Sequence, residues 1–111
     1  MNNIDLARNP NTPIEILEHL ANNDEYWVRY CVADNPNTSP ETLESLANED
    51  DSWVRANVAD NPNTSPETLT RLVNDKFWNV GYYVTRNPNT PHYIKNYLKI
   101  KNYLSSTDTV S

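Results

Sequence analysis

The chain has 111 residues and a net charge of −6, a size that admits one domain. Isoleucine, leucine, valine and phenylalanine make up about one residue in five, close to the limit below which a chain cannot bury enough apolar surface to offset its ordering entropy. The single cysteine, Cys31, excludes an intrachain disulfide and a cysteine-built metal site, and no apolar run approaches the roughly 18 residues of a membrane span.

The first eight residues carry Ile4, Leu6 and Ala7 and read as an N-terminal cap. They lack the charged start and apolar centre of a signal peptide, so a cytoplasmic protein is expected, from a cell or from a virus infecting one. Asn9-Pro-Asn-Thr12 follows, and the same four residues return at Asn35, Asn61 and Asn87, always 26 residues on. A fixed period of this length marks a solenoid, whose units bury their apolar faces only against their neighbours. All eight prolines lie in these four segments or within two residues after them, two per copy, which leaves the stretches between them free to be helical.

Each unit repeats one plan. Asn-Pro-Asn is turn chemistry. Thr38 or Ser39 caps the helix of the second unit; Thr12-x-x-Glu15, Thr38-x-x-Glu41 and Thr64-x-x-Glu67 fit a capping box, with proline in the first helical turn, and the fourth unit, where Thr90 is followed by Tyr93, loses the box. A first helix follows with a narrow apolar stripe: Leu17, Leu20 and Ala21, then Leu43, Leu46 and Ala47, then Leu69, Leu72 and Val73. A polar loop leads to a second, shorter helix whose seam residues are Val28 and Val32, Val54 and Val58, Val80 and Val84. Ala33, Ala59 and Thr85 close the units. The fourth unit keeps Ile94 and Leu98 but has no second half.

The run Asn-Pro-Asn-Thr-(Ser)-Pro-Glu-x-Leu-x-x-Leu-Ala, followed by Asp-x-x-Trp-Val-Arg-x-x-Val-Ala, resembles the leucine-rich repeat variant family across roughly residues 4–98, and is more distantly similar to HEAT-like repeats. The resemblance implies an all-α, right-handed solenoid of about three and a half units, with α-helices alternating with short α- or 3₁₀-type helices. One member of that family joins its repeats to a cysteine-held iron–sulfur module; with only Cys31 here, no such module is expected. The expected organisation is a single solenoid over residues 1–104, with units starting near Asn9, Asn35, Asn61 and Asn87, a C-terminal cap helix over 91–104 and a flexible tail over 105–111.

Candidate functional residues are those that vary between matched units. On an α-helical wheel Tyr26 and Tyr30 lie opposite the valine seam; their counterparts are Ser52 and Ala56, then Trp78 and Tyr82. Exposed aromatics of this kind are common binding anchors. Arg29 and Arg55 share a register that Gly81 takes in the third unit, and they are either ligand-facing cations or rungs tied to a neighbouring loop. Trp27 and Trp53 read as packing between units. Residues 1–70 carry 13 acidic and 3 basic side chains, a balance of −10, whereas residues 71–111 carry 2 and 6, a balance of +4. His19 and His92 have no partner at a catalytic spacing, and no phosphate loop, metal cluster or nucleophile motif is found.

The expectation is a non-enzymatic protein-interaction scaffold, with no cofactor, no metal and no membrane. It would bind a protein partner through Tyr26, Arg29, Tyr30, Arg55, Trp78 and Tyr82. One alternative is an acidic decoy that occupies a nucleic-acid-binding protein. Another is weak nucleic-acid binding through Lys95, Lys99 and Lys101 with Tyr93, Tyr97 and Tyr103, a reading that the overall acidity disfavours. Self-association of the acidic start with the basic end is a further option.

Overall fold

The computed structural model describes residues 2–108, which form eight α-helices and no strand. The helices are α1 (Asn3–Arg8), α2 (Ile14–Leu20), α3 (Tyr26–Asp34), α4 (Pro40–Leu46), α5 (Ser52–Asp60), α6 (Pro66–Leu72), α7 (Trp78–Arg86) and α8 (His92–Asp108). α1, α3, α5 and α7 stack in a row, each on the next. Each of α2, α4 and α6 packs against the two row members that flank it in sequence, and α8 packs on α7. The described rod measures 57 × 24 × 17 Å.

The stripes expected from the sequence form the core between these layers. Leu17, Leu43 and Leu69 are fully buried, as are Val28, Val32, Val54, Val58, Val80 and Val84; Ala7, Ala33, Ala59, Ile94 and Leu98 are buried with them. Because the same positions recur at each step, neighbouring units contribute to one continuous seam.

The repeated Asn-Pro-Asn-Thr does more than turn the chain. Its first asparagine is the C-cap of each row helix, and its side chain first makes an Asx turn: Asn35 Oδ1 accepts from Asn37 N at 2.8 Å, and Asn61 Oδ1 from Asn63 N at 2.9 Å. The amide nitrogen of the same side chain then crosses to the preceding unit. Asn35 Nδ2 donates to the Ala7 and Asn9 carbonyls, Asn61 Nδ2 to those of Ala33 and Asn35, and Asn87 Nδ2 to those of Ala59 and Asn61, at 2.7–3.0 Å. The second asparagine adds a parallel set: Asn37 Nδ2 donates to Thr12 O, Asn63 Nδ2 to Pro36 O and Thr38 O, and Asn89 Nδ2 to Pro62 O and Thr64 O. The buried Asn35, Asn61 and Asn87 amides satisfy carbonyls left open where each row helix ends, and the second set ties the turns together. Among the described residues no buried side-chain nitrogen or oxygen lacks a partner.

Four expectations are corrected. Of the two candidate caps, Ser39 and not the motif threonine caps the following helix, so the threonine capping box does not form. Thr12, Thr38, Thr64 and Thr90 point back and donate from Oγ1 to Leu6, Val32, Val58 and Val84 O, closing the preceding helix. Ser39 and Ser65 are the N-caps of α4 and α6, accepting from Thr42 N and Thr68 N, and Pro13 stands at that position before α2 with no side-chain cap. The glutamates of the expected capping box make no return bond to a cap residue. The second helix of each unit is α-helical, one of the two forms expected, but with 9 residues against 7 it is longer than the first and not shorter. Finally, α8 runs on through Asp108, so residues 105–108 of the expected tail are helical, while 109–111 lie outside the described residues.

Candidate partner-binding edge

Three of the four row helices carry a tryptophan in their first two positions. Trp27, Trp53 and Trp78 stand at the beginnings of α3, α5 and α7, and all three of the chain's indoles are substantially exposed, at 58%, 47% and 73%. Stacked helices lie roughly 8–10 Å apart, so the row brings Trp27 and Trp53 into one register one step apart, with Trp78 one residue earlier in its helix, in the register of Tyr26 and Ser52. The reading of Trp27 and Trp53 as inter-unit packing holds in one respect only. Trp53 meets Phe77, the residue before α7, edge to face at 5.0 Å, yet keeps about half of its surface in water. Trp27 touches Tyr26 and Tyr30 of its own helix at 5.3 and 5.2 Å. Sequence reasoning passed over this edge, although the indoles of the first two units are in the same register and that of the third is displaced by one residue.

The proposed anchors divide by environment. Tyr26 and Tyr30 are half-buried and pack on the core, and burial pushes the Tyr26 phenol above its ordinary range, with Asp51 adding to the effect. Trp78 and Tyr82 are exposed. The Arg86 guanidinium lies 5.4 Å from the Tyr82 ring centroid, and its Nη1 donates to the Tyr82 hydroxyl at 2.6 Å.

Arg29 and Arg55 are engaged as rungs between units, the second of the two readings. Arg29 Nη1 donates to the Asn23 and Asp24 carbonyls, and its Nε pairs with Glu49 of the next loop at 2.9 Å. Arg55 repeats this one unit on, with Nη1 on Glu49 O and Asp50 O and a two-pronged pairing to Asp75 at 2.7 and 3.0 Å. Burial works against the Asp75 carboxylate, but hydrogen bonds from Arg55 and the Phe77 N–H hold its pKa below the usual range. In the third unit Gly81 ends the series, and the position matching Glu49 and Asp75 is Lys101. A groove of about 420 Å³ opens there between α7 and α8, lined by Trp78, Gly81, Tyr82, Arg86 and Lys101. Asn74 Oδ1 accepts from Tyr97 Oη and Lys101 Nζ, which ties part of the basic cap to the preceding unit.

Residues 53–77 match the family described as leucine rich repeat variant. The resemblance holds. The matched span runs from Trp53 through α6 to Phe77, almost one full period, and the recurrence of its plan in α1 to α8 extends the same unit along the rod. Neither the curated proteins nor the solved structures give a match. Among the described residues no three of His, Cys, Asp and Glu gather as a metal-ligand group, and no helix is long and apolar enough to cross a membrane. The repeated units offer surfaces that differ in their side chains while the backbone plan recurs.

Proposed function

We propose that the protein is a non-enzymatic protein-interaction scaffold that engages its partner along the edge formed by Trp27, Trp53, Trp78 and Tyr82. The observation that carries this reading is the exposure of all three tryptophans at the starts of stacked helices. Large aromatic side chains left in water are poor for solubility and are strong anchors when a partner desolvates them. The stack already holds them in place, so little ordering entropy is lost on binding.

The test compares intact protein with the Trp53→Ala/Trp78→Ala variant in affinity capture, with partners identified by mass spectrometry and both proteins melted in parallel. The reading expects the specific partner to be lost from the variant, with a melting temperature lowered only by the few degrees that loss of the Trp53–Phe77 contact accounts for. Capture that is indifferent to both substitutions would overturn it. Tyr30 is a poorer probe because it also packs on the core.

A further inference from the structure

The last residues of the four row helices fall in one register: Arg8, Asp34, Asp60 and Arg86. Two acids thus sit in consecutive steps, each at a helix C-terminus, where the helix dipole already disfavours negative charge. Neither Asp34 nor Asp60 forms an ion pair among the described residues. Burial raises the Asp34 pKa and the Asp60 charge raises it further, while Arg86 lies within electrostatic reach of Asp60.

Asp34 also lines a groove of about 650 Å³ between Ile4 and Arg8 of α1 and Trp27, Tyr30 and Cys31 of α3. The third unit shows what fits beside a ring in this register. There Arg86 lies over Tyr82. Tyr30 and Asp34 hold the corresponding positions two units earlier, so the ring is kept and the cation is exchanged for a carboxylate.

Building on the scaffold reading, we infer that this groove receives an arginine side chain of the partner protein, its stem against Trp27 and Tyr30 and its guanidinium at Asp34 and Asp60. Guanidinium groups both stack on aromatic rings and fork onto carboxylates, which favours arginine over lysine. Arg8 lines the α1 end of the groove and repels cations, which favours a guanidinium position at the Asp34 end. The −10 balance of residues 1–70 steers a basic segment toward this part of the rod.

The experiment titrates the full chain against a fluorescently labelled peptide of alternating arginine and glycine, with alternating glutamate and glycine as the control. The arginine peptide binds and the glutamate peptide does not. Asp34→Asn weakens binding about tenfold, whereas Glu15→Gln, the same charge change on the exposed face of α2, stays within about twofold. Asp34→Asn melts no lower than the parent, because it relieves the repulsion with Asp60. Trp27→Ala, at an exposed position, gives an independent loss of several-fold. Equal losses in Asp34→Asn and Glu15→Gln, or no binding of the arginine peptide, would overturn the assignment. Should partner capture still depend on Trp53 and Trp78 in that event, the scaffold reading stands and only the arginine site falls; capture independent of those tryptophans removes the scaffold reading itself.

Discussion

At the scale of single residues, the same side chain has different energetic weight in different units. Asn61 caps α5, makes an Asx turn and bridges two buried carbonyls of the preceding unit. Asn9 occupies the same place in its motif and makes the same turn bond at 2.9 Å, but among the described residues its amide nitrogen reaches no carbonyl. Leaving a buried acceptor unpaired costs about 1–3 kcal/mol, so Asn61→Ala is expected to destabilise by at least about 2 kcal/mol in urea denaturation. Asn9→Ala, which loses the local turn bond alone, should stay below about 1 kcal/mol. Equal losses at the two positions would show that the asparagines act only within their own turns. This bridging could not be read from the sequence, because Asn-Pro-Asn accounts for itself as a turn and the second partner of each amide lies 26 or 28 residues away. The threonines misled for a related reason. A threonine one residue before a Ser-Pro pair looks like a cap, yet its hydroxyl has a nearer acceptor at the end of the helix just left behind.

At the scale of elements, the leucine and valine stripes were legible because burial follows the helical period and each stripe recurs in register. Length and exposure were less so. Whether Trp27 and Trp53 face a neighbour depends on the second helix being a 9-residue α-helix, which a short polar sequence with a few valines does not specify. Gly81 illustrates the opposite case, in which a break in the pattern is visible and its consequence is not. It lies inside α7 without a left-handed backbone, and a Cβ there would meet nothing within 4 Å. Glycine in a helix interior is destabilising by roughly 0.5–1 kcal/mol relative to alanine, so Gly81→Ala should raise stability by that amount. Chemical denaturation of the pair checks it, and a loss of stability would mean that the α7–α8 groove closes on this position. The arginine rungs explain why glycine is tolerated. Arg29 and Arg55 each tie their unit to the next through an acid 20 residues on, and where Lys101 replaces that acid an arginine would have no such partner.

At the scale of the whole molecule, a chain with few large apolar residues is held together by adding one modest interface per unit. Each interface combines a strip of fully buried leucine and valine with a set of asparagine bridges, and each carries its own variation on the exposed edge. The charge imbalance bears on partner choice and association rate, not on the stack. The central claim is that these units form a rod whose edge presents Trp27, Trp53 and Trp78 in sequence. Small-angle X-ray scattering in dilute solution tests it most directly. The account predicts an elongated monomer with a radius of gyration close to 15.2 Å and a longest dimension near 57 Å. A radius near the ~13 Å of a globular domain of this length, with a symmetric distance distribution, would contradict it.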